Sequence, residues 1–172
     1  MGWWWGGSLL PWDSDIDIQM NANFLYVLER FNNTILENRY LINVNPNFRV
    51  HVPQSNNFID ARLVDQQTGY FLDITDMRNT DTNTASSANK LLLIDKHGHK
   101  LFYADLYPLV RTEFVGITTW RPFHAEICLA KEYATKALQN TVYKEYNYDN
   151  IHASWIVNKS LLKKITLRNM SN

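Results

Sequence analysis

The stretch PWDSDIDIQM, residues 11–20, alternates with a period of two: Asp13, Asp15, Asp17 and Gln19 on one side, Ile16, Ile18 and Met20 on the other. That pattern fits a β-strand with one polar and one apolar face. Side chains two apart on a strand share a face at a spacing of roughly 7 Å, so three carboxylates there repel one another unless a cation joins them. No Lys or Arg lies within the run. Hard oxygen donors suit Mg²⁺ or Mn²⁺, which commonly keep water and substrate phosphates in their remaining positions. The competing reading is a solvated acidic edge strand. Trp12 and the Ile/Met face argue instead for a packed strand, where free charges are costly.

A second carboxylate source lies downstream. FIDARLV and YFLDIT are β-rich runs joined by DQQTG, a hairpin pattern. Asp73 stands between Leu72 and Ile74, an apolar setting in which an acid needs a partner. It is either a third metal ligand from another strand or the partner of Arg62 on the adjacent strand. If Val64 faces Gly69 across a four-residue loop, Asp60 falls opposite Asp73; a three-residue or bulged loop shifts that register.

Elsewhere, Phe24, Leu28, Phe31 and Ile35 recur at helical spacing and predict an amphipathic helix over roughly 23–38, capped by Asn21 or Asn23. FRVHV reads as a short strand ended by Pro53, and residues 76–89 as a polar surface loop. KLLLIDKHGHKLFYADLYPL reads as two extended pieces around a turn at KHGH. His97 and His99 look like a ligand pair without an evident third member, so a polar turn is favoured over a zinc site. PFHAEICLAKEYATKALQ predicts a helix with Pro122 in its first turn and a stripe of Phe123, Ile127, Ala130, Tyr133 and Ala137. The segment SWIVNKSLLKKITLRNM is helical in flavour. His51 and His124 read as ordinary hydrogen-bonding residues, Ser8 in GGS as a weak phosphate-cradle signal, and the three tryptophans of WWW as core packing. Helices and strands without a strict βαβ rhythm indicate an α+β, or α/β-like, domain.

At 172 residues, 45% apolar and 13% aromatic, the chain is about one domain long and globular. Its 17 basic and 17 acidic side chains cancel, which argues against a nucleic-acid partner held through phosphates. Cys128 excludes an internal disulfide and reads as a small buried helix residue. No run approaches the ~18 apolar residues of a membrane span. The apolar start MGWWWGGSLLPW lacks the basic head of a signal peptide and reads as domain interior.

The blocks WWWGGSLLPWDSDIDIQM and IDARLVDQQTGYFLDIT, with weaker echoes at DKHGH, DLYPL, FVG and LAKEYA, resemble the LicD/fukutin-type nucleotidyltransferase-fold proteins, nearest the fungal mannosylphosphate-transfer branch. The resemblance spans most of residues 3–134. It implies a nucleotidyltransferase-like mixed sheet flanked by helices, with Mg²⁺ or Mn²⁺ held by Asp15, Asp17 and Asp73. Asp13 belongs to the extended motif and is expected to tune or share the metal. The implied reaction moves a phosphosugar, mannose phosphate from GDP-mannose, onto a glycan hydroxyl in the Golgi. The implied partners are a nucleotide-sugar donor and a glycan acceptor. Asp13 or Asp73 would then assist deprotonation of the acceptor, and Arg62 would contact phosphate or hold Asp60, the second being favoured. The family's Gly-Thr or Gly-Ser phosphate loop and its membrane anchor are expected upstream of Met1, and EYA stands where Glu-Tyr-Gly is usual. A non-catalytic regulator of the same fold, lacking that loop, is the alternative expectation.

Overall fold

The acidic run forms the strand its alternation demands. In the computed structural model, which describes residues 1–50, 57–79 and 91–160, β1 spans Asp15–Asn21. The chain divides into two compact units, Asp13–Pro108 and Met1–Trp12 with Leu109–Asn172. With its helices and mostly antiparallel strands, the fold is α+β.

In the Asp13–Pro108 unit, β1 leads into α1 (Ala22–Leu28) and a 3-10 turn (Glu29–Phe31). There follow β2 (Ile35–Leu36), β3 (Tyr40–Val44), β4 (Ala61–Asp65) and β5 (Phe71–Asn79). β6 (Leu92–Ile94), β7 (Lys100–Phe102) and the single turn of α2 (Tyr103–Leu106) complete the unit. Strands β2 to β7 pair in sequence order, and β1 joins beside β5. The β1–β5 pairing is parallel, with Ile16 beside Leu72, Asp17 beside Asp73 and Ile18 beside Ile74. On its other edge β5 runs antiparallel to β4, with Ala61 opposite Ile74 and Arg62 opposite Asp73.

Because strand side chains alternate, this register sorts the sheet into two faces. Ile18, Met20, Ile42, Val44, Ala61, Leu63, Leu72 and Ile74 form one face and pack with Leu25, Leu28 and Phe48. Leu25 of α1 is fully buried there, a burial that stabilises by about 1.5–3 kcal/mol. The opposite face receives Asp15, Asp17, Gln19, Arg62, Phe71 and Asp73.

Several local expectations change. Helix α1 with its 3-10 extension ends at Phe31, not residue 38, and Phe24, Phe31 and Ile35 are exposed while Leu25 faces the core. Asn33 at φ 61° turns the chain back, and its N–H donates to the Ile42 carbonyl. Phe48 is a fully buried turn residue and not part of a strand; His51 and Pro53, the rest of that expectation, lie outside the described residues. β5 continues through residues 76–79, which the sequence assigned to a loop; residues 80–89 of that loop lie outside the described residues. The β4–β5 hairpin has a four-residue loop, but it closes on Asp65 and Tyr70. The register therefore places Arg62, and not Asp60, opposite Asp73.

The Met1–Trp12 and Leu109–Asn172 unit holds two small sheets. β8 (Val110–Phe114) and β9 (Ile117–Arg121) form a hairpin, and β10 (Val142–Tyr143), β11 (Tyr146–Asp149) and β12 (Ser154–Val157) a meander. Between them α3 spans Ala125–Tyr133, with Ala125 and Cys128 buried and Pro122 ahead of its cap. Phe123, Ile127 and Tyr133 of the expected stripe are exposed, and Ala134 at φ 65° ends the helix. The indoles of Trp3, Trp4 and Trp5 donate to Thr112 Oγ1, the Leu138 carbonyl and the Ala137 carbonyl at 2.8, 3.1 and 3.1 Å. Trp5 stacks edge-on against Tyr148 and Trp155. A Cβ at Gly6 would stand 2.2 Å from the Ala153 carbonyl oxygen, so no larger residue fits there. Residues 154–157 are strand rather than helix; 161–170 lie outside the described residues.

Candidate metal centre

Two features of local sequence build the carboxylate cluster. The alternation of β1 directs Asp15 and Asp17 to the face away from α1, and Leu72 and Ile74, drawn into the core, turn Asp73 to the same side. Parallel pairing then sets Asp17 beside Asp73. One oxygen from each of Asp15, Asp17 and Asp73 lies within 4.8 Å of the others. Adjacent oxygens around an octahedral Mg²⁺ at 2.0–2.1 Å stand about 3 Å apart, so small side-chain rotations bring the set to coordination distance. Asp73 is buried, Asp15 half-buried and Asp17 exposed, which leaves the cluster reachable from one side.

Arg62 shapes its charge. Nε and Nη2 donate to Asp73 Oδ1 and Oδ2 at 2.5 and 2.7 Å, and the guanidinium lies over the Phe71 ring at 4.0 Å. The hydrogen bonds to Asp73 raise the Arg62 pKa above its ordinary value; burial opposes this, and the charges of Asp73, Asp15 and Asp17 add to it. The Arg62 guanidinium offsets the charge of Asp73 within the cluster. Each Asp73 oxygen has a second lone pair, so the arginine pairing and a metal contact are compatible. The all-oxygen donor set therefore fits Mg²⁺ or Mn²⁺ by its chemistry.

The other sequence candidates fall elsewhere. Asp13 is half-buried two residues ahead of β1 and is not among the three mutually close carboxylates. Asp60 is fully buried. It pairs with Lys96 and accepts the Asp76 N–H at 2.9 Å. Its carboxyl is held above the ordinary range by burial, with the Lys96 and Asp76 hydrogen bonds opposing. Arg62 thus holds Asp73, the pairing weighed against metal binding, and not Asp60. Sequence reasoning missed Lys96 as the partner of Asp60. It also missed Arg78, which pairs with buried Asp76 and donates to the Phe48 carbonyl. The only available signal was charged residues inside apolar runs.

A mixed sheet with a helix-covered core on one face and converging carboxylates on the other defines the class: an α+β protein with an acidic cluster across a parallel strand pair. The chain belongs to the LicD/FKTN/FKRP nucleotidyltransferase-domain family, whose pattern it matches over residues 1–124. Among curated proteins it is similar to mannosyltransferase regulator 4 of Saccharomyces cerevisiae, 32% identical over 100 residues, 53% of this chain and 8% of that protein. It is also similar to mannosyltransferase regulator 14 of the same yeast, 36% identical over 83 residues, 43% of this chain and 9% of that protein. The chain thus matches less than a tenth of the length of these relatives.

Proposed function

We propose that this domain is a metal-dependent phosphotransferase that moves a phosphosugar, mannose phosphate from GDP-mannose, onto a glycan hydroxyl during glycoprotein modification, breaking the donor's diphosphate bond and releasing GMP. The observation that carries the reading is the convergence of Asp15, Asp17 and Asp73 across the parallel β1–β5 pair. Family membership and the mannosyltransferase-regulator names of the relatives supply the sugar context. In this reading Asp15 and Asp17 hold Mg²⁺ or Mn²⁺ from β1, and Asp73 holds it from β5. A bound divalent ion supplies charge compensation for the donor diphosphate as phosphoryl transfer proceeds. Arg62, fixed by Asp73 and Phe71, orients Asp73 and contributes positive charge beside the incoming phosphates. Proton acceptance from the sugar hydroxyl falls to Asp13 or Asp73, acids of the two strands' motifs. The setting is the Golgi lumen; no helix among the described residues is long and apolar enough to cross a membrane.

A second reading, a non-catalytic regulator of the same fold, is favoured by one observation: the relatives carry regulator names. One experiment separates the two. Purified chain is titrated calorimetrically with Mn²⁺ and then with GDP-mannose, and mannose-phosphate transfer to an oligomannose acceptor is followed. Mn²⁺ binding and transfer that both vanish in Asp17→Asn support the enzyme. Mn²⁺ binding without transfer supports the regulator, and absence of Mn²⁺ binding removes the metal centre from both.

A further inference from the structure

The turn joining β6 to β7 carries a second cluster of a different chemical kind. Gly98, at φ +87° with open space where a Cβ would stand, donates its N–H to the Asp95 carbonyl at 3.1 Å. The Asp95 N–H donates to the His99 carbonyl at 3.3 Å. This tight closure sets His97 and His99 side by side, ring centroids 5.7 Å apart and planes 22° from parallel. The exposed His97 ring also stacks on Phe58 at 4.4 Å. Beneath them Asp95 is buried, 2% exposed. It accepts the His99 N–H at 2.9 Å and lies 2.9 Å from His99 Nδ1 and 3.4 Å from Gln19 Nε2. Lys96, the cation inside the turn, is engaged with Asp60. One donor atom from each of Asp95, His97 and His99 lies within 4.8 Å of the others.

We propose that the Asp95–His99 turn is a zinc site, with imidazole nitrogens of His97 and His99 and a carboxylate oxygen of Asp95 as ligands and water in the fourth position. Two imidazoles and one carboxylate are a borderline donor set, suited to Zn²⁺, whereas the all-oxygen cluster on β1 and β5 suits Mg²⁺ or Mn²⁺. Tetrahedral Zn²⁺ with bonds of 2.0–2.1 Å places its ligand atoms about 3.3 Å apart. The exposed His97 ring can supply the closing movement while buried Asp95 stays fixed. The ion would clamp the β6–β7 hairpin, and through the Asp95–Gln19 contact it would also tether the end of β1. This site stands independently of the proposed transferase reading.

The test titrates the full chain with Co²⁺ alone, followed by visible absorption, then displaces it with Zn²⁺ and records the thermal midpoint. Expected are one Co²⁺ per chain with the intense bands of a tetrahedral ion, loss of those bands on adding Zn²⁺, and a raised midpoint. His97→Gln, chosen because His97 is exposed and folding should survive it, weakens Co²⁺ binding by at least about tenfold. Asp17→Asn leaves the bands unchanged. Absence of the bands in the wild-type chain, their persistence in His97→Gln, or their loss in Asp17→Asn would each overturn the proposal.

Discussion

Arg62 lies over the Phe71 ring with two guanidinium nitrogens on Asp73, and so cancels one of three clustered negative charges. Arg62→Met keeps the stem and removes the charge. In chelator-treated protein it should lower stability by about 1 kcal/mol, a modest value because the arginine is partly exposed. Added Mn²⁺ should then raise the thermal midpoint of the variant more than that of the wild type. Equal gains in a thermal-shift titration would separate Arg62 from the metal centre. Asp17→Asn should weaken Mn²⁺ binding at least about tenfold by calorimetry. A different acid contributes to the pH response. Arg39, the Thr68 hydroxyl and the Gln67 N–H hold the Asp65 carboxyl far below its ordinary value of 3.8. Because the folded pKa is depressed, this stabilisation is present above 3.8 and is lost as pH falls toward the folded value. Asp65→Asn should therefore be less stable than wild type at pH 7, with the gap in thermal midpoint narrowing below about pH 4. The alternation of Asp15 and Asp17 and the apolar neighbours of Asp73 made the cluster legible from sequence. The partners of Asp60 were not, because Lys96 and Asp76 reach it from segments distant in sequence; Asp95, only two residues before His97, was overlooked because nothing local marks it as buried beneath the two rings.

Among the secondary-structure elements, α1 shows why periodicity reads a helix but misplaces its face and end. The spacing of Phe24, Leu28, Phe31 and Ile35 is helical, yet the fully buried side chain is Leu25. The chain stops at Asn32–Asn33 because Asn33 adopts positive φ at modest cost, as asparagine does more readily than most residues. Leu25→Ala should destabilise by about 2–5 kcal/mol in chemical denaturation, whereas Phe24→Ala, being exposed, should cost little. The β8–β9 turn offers a gain. Val115 and Gly116 form a two-residue loop with φ 53° and 74°, the pair of positive angles of a type I′ turn, and a β-branched residue suits the first of them poorly. Val115→Asn should add about 1 kcal/mol, read from the denaturation midpoint. FRVHV was misread for a related reason: Phe48 is apolar because it anchors a turn in the core, a role that strand propensity cannot distinguish from pairing.

On the scale of the whole molecule, the chain leaves one unit at Trp12 and returns to it at Leu109. The first residues are therefore structural partners of the last third. Three consecutive tryptophans each donate to a residue more than a hundred positions away in sequence. Trp5→Ala removes the most buried of these anchors and should cost about 3–5 kcal/mol, loosening the β10–β12 meander first under limited proteolysis. The α+β class and the central hairpin were legible because alternation and turn residues are local. The meander was not, because its short strands are defined by aromatic packing against the N-terminal tryptophans.

The parallel pairing of β1 with β5 also has a consequence in time. Asp17 meets Asp73 only after the intervening chain has folded back, and non-local parallel contacts form slowly. During synthesis, β1 emerges long before the strand that completes its cluster. A cation that binds the finished cluster then acts mainly as a brake on unfolding and does little to hasten folding.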